Sequence, residues 1–324
     1  MKISGVEQLS SFLADYRYGI LNRGFYLPPH LVKDRLVQRI MQDSQSVVDF
    51  YPREGIPDGC AVYKKLDWDS EHFGFNVGSL HYLISRELGY KKEVKVKERL
   101  LESFNGWCSD HAISFVSTRV DAADLSTLHA LERAGFYYVE TLLTFGYRIG
   151  GGTLTEPLRP VQPFQQTEVD ELAKIAANSF VQDRFHSDPY LDPEKSNELY
   201  RKWVINSCRG RAQEVLVVRD GGRPVGFITC QIEDLREPLG IKFGIIDLIA
   251  VSPENRGRNL GTDLVRGSLR WFAQQGVDIV RVGTQAANIA GVNMYLQSGF
   301  KLVHSELTLH KWFKQGMKER MASR

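Results

Sequence analysis

The chain has 324 residues, 43% hydrophobic and 25% charged, ordinary values for a folded protein of about two domains. Lys and Arg total 41 against 39 Asp and Glu, a near-balance that argues against a nucleic-acid partner, because phosphate neutralisation needs a concentrated basic surface. No run of about 18 apolar residues is present, so no membrane partner is expected.

Cysteine and histidine usage narrows the chemistry further. Cys60, Cys108, Cys208 and Cys230 form no CxxC pair, and the histidines show no HxxxH or HxH spacing. Neither a disulfide framework nor a metal site is expected. The N-terminal stretch is broken by Glu7 and Asp15 and lacks the continuous apolar run of a signal peptide. The expected compartment is therefore the reducing cytoplasm. One basic cluster, Lys311 to Arg324 with Lys314, Lys318 and Arg320, reads as a solvated terminus.

In chain order, residues 1–59 read as an N-terminal helical extension. Pro28-Pro29 introduce a helix over 31–42 with apolar positions Val32, Leu36, Val37 and Ile40. No chemistry is visible there, so the segment is expected to pack against the rest or to make an oligomer contact, such as a homodimer. Residues 60–149 form a first half, which ends in a strand at 116–121, a helix closing on Ala134-Gly135, and a further strand. Gly150-Gly151-Gly152 followed by Pro157, Pro160 and Pro163 reads as a linker over 150–163.

Residues 164–324 form the second half. Helices are expected at 167–180 and 194–209, separated by a loop at 182–193. Strands at 214–219 and 225–233 are joined by a hairpin turn at Asp220-Gly221-Gly222. A strand at 243–251, a helix at 261–275, a strand at 278–284, a helix at 289–298 and two last strands at 301–305 and 307–312 complete the pattern.

The two halves repeat one another. An offset of 164 carries Ala123-Asp124 onto Ala287-Asn288, Gly135-Phe136 onto Gly299-Phe300, Val139 onto Val303, and Leu143-Thr144 onto Leu307-Thr308. This predicts a duplicated strand–helix–strand domain of α/β (α+β) class. Each half would hold a mixed, mostly antiparallel sheet flanked by helices. The first half has Leu131 where the second has Tyr295, and it lacks a glycine loop, so it reads as a degenerate copy. One active site per chain follows.

The informative run is Ile246 to Val265. An apolar strand ends at Pro253, a polar loop with Gly257 follows, and a helix begins near Gly261. The first N–H groups of a helix have no internal acceptor, and its dipole favours negative charge. Arg256 and Arg258 add positive charge, so a pyrophosphate is the natural occupant. The run is neither a GK[ST] phosphate loop nor GxGxxG. Downstream, Asn288 and Tyr295 are seven residues apart, which puts both on one helix face.

Arg256, Asn259 and Gly261 resemble the coenzyme A loop of the GNAT superfamily of N-acetyltransferases, Gln/Arg-x-x-Gly-x-Gly/Ala, with Asn259 replacing the usual Gly. The order of loop, strand, Asn288, Tyr295 and Gly299-Phe300 also fits. The resemblance implies acetyl-CoA as cofactor, held by Arg256, Gly257, Arg258, Asn259, Leu260, Gly261 and Thr262. Leu248, Ile249, Ala250 and Val251 would carry the pantetheine on their backbone, Asn288 would touch the coenzyme arm, and Tyr295 would act as general acid. Asp247 is a candidate base from its strand position, with a structural carboxylate or a water relay as alternatives.

Lys65 to Gly74 and the phrase Arg184-Phe185-His186-Ser187-Asp188-Pro189, with Leu199-Tyr200 and Trp203 after it, resemble the TDP-fucosamine acetyltransferases of bacterial surface-polysaccharide synthesis. The resemblance covers roughly residues 60–312. It implies a nucleotide-linked amino sugar as small-molecule partner, with Arg184, Phe185, His186 and Asp188 on a substrate loop. Another amine, a protein N-terminus, or a silent coenzyme-binding protein are the alternatives.

Overall fold

The computed structural model describes residues 5–14, 16–151 and 154–313. The expected solvated terminus with Lys314, Lys318 and Arg320 lies outside the described residues, as do Gly152 and Thr153 of the expected linker.

The chain runs α1 (Gly5–Ala14), α2 (Pro29–Gln42), β1 (Val47–Tyr51), β2 (Gly59–Lys65), α3 (Asp67–Phe73), β3 (Val77–Ser85), α4 (Tyr90–Asp110), β4 (Phe115–Asp121), α5 (Leu125–Arg133) and β5 (Tyr137–Arg148). It continues with β6 (Val161–Pro163), α6 (Val169–Ala177), α7 (Arg184–Ser187), α8 (Pro193–Asn206), β7 (Glu214–Asp220) and β8 (Arg223–Leu235). The last elements are α9 (Arg236–Leu239), β9 (Ile241–Val251), α10 (Leu260–Gln274), β10 (Ile279–Gln285), α11 (Ile289–Gln297) and β11 (Lys301–Trp312). Both halves are mixed, mostly antiparallel sheets with helices packed on them, as the α/β reading requires. Among the described residues no helix is long and apolar enough to cross a membrane.

Contacts divide the chain into two units, one of residues up to Thr141 together with those from His304 on, the other of Leu142–Val303. The boundary therefore does not fall at the glycine run. In the first unit the strand order is β1-β2-β3-β4-β11, with β3–β4 the parallel pair. Its core joins Leu100, Leu101 and Phe104 of α4 to Leu128 and Leu131 of α5 and Leu80 of β3. In the second unit the order is β5-β10-β9-β8-β7-β6, with β9–β10 the parallel pair. Phe145, Ile246, Val282, Tyr295 and Phe300 share its core with Leu264, Leu269 and Phe272 of α10. Each such apolar side chain removed from water contributes about 1.5–3 kcal/mol.

Three expectations need correction. Residues 1–59 are not wholly helical, because Val47–Tyr51 pairs with β2 as a sheet edge, and Leu9, Phe12 and Leu13 of α1 pack on Cys60, Val62 and Ile84. The extension thus builds a core of its own unit. The two last strands are one continuous strand, Lys301–Trp312, since Glu306 keeps extended geometry opposite Asp121. The loop at 182–193 contains a short helix, Arg184–Ser187, capped by Asp183.

Both parallel pairs stop early. β9 and β10 are paired only from Phe243/Ile279 to Ile246/Val282, after which they diverge, while β10 stays on β5 to Gln285. The cause is a bulge in β9. Ile228 opposes Ile249 but Cys230 opposes Ile246, so β9 carries an extra residue at Asp247–Leu248. Thr229 stitches the bulge, its hydroxyl accepting from Leu248 N at 2.9 Å. β3 and β4 are likewise paired only from Val77/Phe115 to Leu80/Thr118, with a bulge at His81.

Candidate active site

Beyond Ile246 the edge of β9 that faced β10 has no strand partner in the paired register. Main-chain N–H and C=O groups there are obligatory hydrogen-bonding groups, so this edge can receive an extended ligand. Leu248 and Ala250 are buried, while Ile249 and Val251 are half-buried.

The chain then enters Ser252–Asn259, whose residues Arg256 to Asn259 are exposed. Gly257 has φ 78, a left-handed conformation that costs a side-chain-bearing residue about 1–2 kcal/mol, and open space lies beside it. Asn259 is also left-handed, φ 61 and ψ 16, the tolerance expected of Asn. It stands at the N-cap of α10, yet its side chain makes no capping hydrogen bond. The first-turn amides of Leu260, Gly261 and Thr262 therefore face outward with neither an intrahelical nor an N-cap acceptor.

Arg256 donates from Nε to Val251 O at 3.3 Å and from its terminal nitrogen to Ser179 O at 3.4 Å, tying the loop to the end of β9. Arg258 is held by Asp220 at 2.8 Å and by Asn255 Oδ1 at 2.6 Å. Its bond to Asp220 holds that carboxyl below the usual range. Of the two arginines, Arg258 thus has a carboxylate partner, and Arg256 has only carbonyls.

Sequence reasoning missed the support beneath this loop. Asp263 is fully buried and accepts from Leu158 N at 2.7 Å and from Arg159 at 3.2 Å, and Arg159 also donates to Arg258 O at 2.9 Å. The expected linker is partly a brace for the loop, and Val161–Pro163 adds an edge strand to β7. An acidic residue in the first turn of α10 was the available signal.

Asn288 stands just ahead of the helix that carries Tyr295. It is the N-cap of α11, its Oδ1 accepting from Gly291 N at 3.1 Å and its Nδ2 donating to Thr284 Oγ1 at 3.0 Å. Tyr295 is 2% exposed, its ring 5.8 Å from Phe145 and 5.7 Å from Phe300. It shares an apolar cluster with Ile246 and Val282, the last paired residues of β9 and β10. Burial pushes the phenol's pKa well up, so it stays protonated at neutral pH.

Asp247 sits in the bulge, one residue beyond Ile246, and faces α8. Its Oδ2 accepts from Trp203 Nε1 at 2.8 Å and Gln231 Nε2 at 2.9 Å, and lies 3.7 Å from Arg211. Burial raises its pKa, against the lowering pull of Trp203 and Arg211. Trp203 begins a stack of near-parallel rings. Tyr200 follows at 6.0 Å, and both Phe180, at 4.3 Å, and His186, at 6.2 Å, lie on Tyr200.

That stack connects Asp247 to the 184–188 segment, where three expectations change. Phe185 is buried and not a surface platform, because Asp183 caps α7 and turns the ring inward. Asp188 is buried and accepts from Tyr190 N at 2.9 Å, a local turn bond. His186 is held on both nitrogens, by Asp183 at 2.6 Å and Asn197 at 2.9 Å. Arg184 differs from these three. Its guanidinium lies 4.6 Å from the Phe185 ring centre, and its Nε is buried without a hydrogen-bond partner.

Residues 177–300 match the family model described as Acetyltransferase (GNAT) family. The chain is 25% identical over 255 residues to the spore coat polysaccharide biosynthesis protein SpsD of Bacillus subtilis, covering 78% of this chain and 84% of that protein. It is 28% identical over 205 residues to dTDP-fucosamine acetyltransferase of Escherichia coli, covering 61% of this chain and 82% of that enzyme. A GCN5-related N-acetyltransferase from Sphaerobacter thermophilus has a similar fold, with TM-score 0.61 at 14% identity over 95% of this chain and 92% of that one. A tandem GNAT protein from the clavulanic acid biosynthesis pathway also has a similar fold, with TM-score 0.58 at 12% identity over 95% of this chain and 94% of that one. Residues 177–300 thus carry an acetyltransferase domain of the GNAT family, and the chain is an N-acetyltransferase.

Proposed function

We propose that this enzyme transfers acetyl from acetyl-CoA to the amino group of a nucleotide-linked amino sugar of the TDP-4-amino-4,6-dideoxyhexose type. The observation that carries the reading is the divergence of β9 from β10 after Ile246, beside the uncapped N-terminus of α10. The donor set suits the cofactor, because a free strand edge fits an amide-bearing arm and bare helix amides fit a diphosphate. Arg256 and the amides of Gly257 to Thr262 would hold the diphosphate, and residues 248–251 the pantetheine.

When bound, acetyl-CoA supplies a thioester carbonyl that an amine attacks directly, forming a C–N bond as the C–S bond breaks. Asp247 takes the proton that the acceptor's ammonium must lose before it has a lone pair to offer. Backbone N–H groups of β9 polarise the carbonyl oxygen as charge develops. Tyr295 would give its proton to the departing sulfur and be reprotonated by the second proton that the nitrogen sheds as the amide forms. Arg184, with an unpartnered Nε, meets a phosphate of the nucleotide. Such a reaction belongs in the cytoplasm, where acetyl-CoA and nucleotide sugars are both made.

The names of the SpsD and dTDP-fucosamine acetyltransferase relatives support the sugar class. The test is thiol release from acetyl-CoA with dTDP-fucosamine, free amino acids and spermidine in parallel. The reading expects turnover with the nucleotide sugar alone. Turnover only with an amino acid or polyamine would overturn the sugar assignment, and no turnover with any amine would overturn catalysis.

A further inference from the structure

Asp247 is surrounded by a donor set that no comparison assigns. Its carboxylate sits in the β9 bulge, where the strand turns away from β10 and the backbone has an extra residue. Two hydrogen-bond donors and one cation, from three elements, converge on one oxygen, Oδ2. They are Trp203 from α8 at 2.8 Å, Gln231 from β8 at 2.9 Å, and Arg211, at 3.7 Å, from the turn after α8. The donors are themselves held. Arg211 lies 4.7 Å from the Trp203 ring centre, and Trp203 is stacked on Tyr200. Gln231 is fixed by the pairing of β8 with β9, where it opposes Ile245. Two neutral N–H donors and one cation on a single oxygen fix the carboxylate's rotation and leave its other oxygen to face a different direction. A solvated structural carboxylate needs no such fixing, whereas an acceptor of protons does.

We infer that Trp203, Gln231 and Arg211 are positioning residues that orient the Asp247 carboxylate toward the acceptor amine and set its proton affinity. The inference rests on the role given to Asp247 under the proposed function. Burial favours the neutral acid, while the Trp203 hydrogen bond and the Arg211 charge favour the anion, the direction in which any hydrogen bond donated to a carboxylate acts, that of Gln231 included. Among the described residues, Arg211 is the charged group within ion-pair reach of Asp247. Removing a donor therefore raises the pH at which the carboxylate forms. The acidic limb of the rate profile moves up with it.

The experiment is a carbon-13 titration of selectively labelled aspartate carboxyls, with Asp247 identified by its loss in Asp247→Asn. It is run on the wild type, Trp203→Phe, Gln231→Met and Arg211→Met. Phe keeps the ring and Met keeps the length, so packing is preserved. The midpoint is expected to rise by about half to one pH unit in each variant. In the same variants, kcat/KM for acetyl-CoA with dTDP-fucosamine should fall on the acidic limb and recover above it. A midpoint unmoved in all three variants overturns the inference. Moved midpoints with an unmoved acidic limb overturn the positioning role while leaving the electrostatics intact. Undiminished turnover in Asp247→Asn would overturn the base role of Asp247 and this inference with it, whereas absence of turnover in the wild type would refute the proposed function itself, and the titration still reports on the donor set.

Discussion

Residues 115–148 and 279–312 hold one backbone in two chemical versions. Asp124 and Asn288 cap their helices with φ/ψ of −85/72 and −81/69, each accepting from an amide three residues on, at 3.1 Å. Gly135 and Gly299 close those helices at φ 84 and 87, and the Phe136 and Phe300 amides return to Leu131 and Tyr295 at 3.0 Å. The side chains differ where chemistry would occur. Leu131 is a fully buried hydrocarbon, and Tyr295 is a buried phenol.

The strand divergence differs too. In the first unit the chain's own segment spans it, with the Tyr16 ring 5.9 Å from Tyr82 of β3, the Gly19 amide on Asp121 of β4 at 3.3 Å, and Arg23 paired with the same carboxylate. Residues 86–89 make the turn into α4, where residues 252–259 make the longer loop into α10. Packing alone preserves the divergent strands. On the proposed reading, a phenol placed as proton donor and a long loop ahead of α10 are what would make one copy the catalyst.

Four changes bear on that comparison. The largest effect belongs to Tyr295→Phe, which should lower turnover about tenfold to a thousandfold with acetyl-CoA affinity little changed. Steady-state rates and calorimetry together check this, and undiminished turnover would remove the phenol from the mechanism. Next, Gly257→Val places a branched side chain at φ 78, a strain of about 1–2 kcal/mol. The loop relaxes away from its amide-presenting form, and acetyl-CoA binding should weaken about tenfold by calorimetry.

In the first unit, Asp121→Ala strips the acceptor from Arg23, Gly19 and Ala123. It should cost about 1–3 kcal/mol in denaturant unfolding while leaving turnover of the folded protein intact. A matching loss of turnover would show that the two copies are not functionally separate. The smallest effect concerns His186. Burial favours its neutral ring, but Asp183 and Asn197 outweigh burial and raise its pKa. A raised folded value gives stability that is full below the ordinary histidine range and is lost as pH rises through the folded pKa. Melting temperature should therefore fall more across that rise in the wild type than in His186→Gln.

How much was legible in advance follows from where the information lies. The repeat and the left-handed positions Gly257 and Asn259 were readable because glycine, asparagine and apolar spacing report local backbone demands. The partners of β5 and β11 were not, because both read alike as strands whichever neighbour they pair with. Phe185 and Asp188 misled for a related reason, since an aromatic and an acid in a polar loop look exposed until Asp183 caps α7 and turns them inward. That Trp203 and Gln231 meet Asp247 became visible only through a bulge that shifts β9 by one residue, and a one-residue shift changes which face a side chain joins.

The central claim, one acyl-coenzyme site per chain in the second unit, is tested most directly by calorimetric titration with acetyl-CoA. The account predicts one equivalent bound per chain, with affinity weakened by Gly257→Val and unaffected by Asp121→Ala. Two equivalents, or one that survives the loop substitution at full strength, would contradict it.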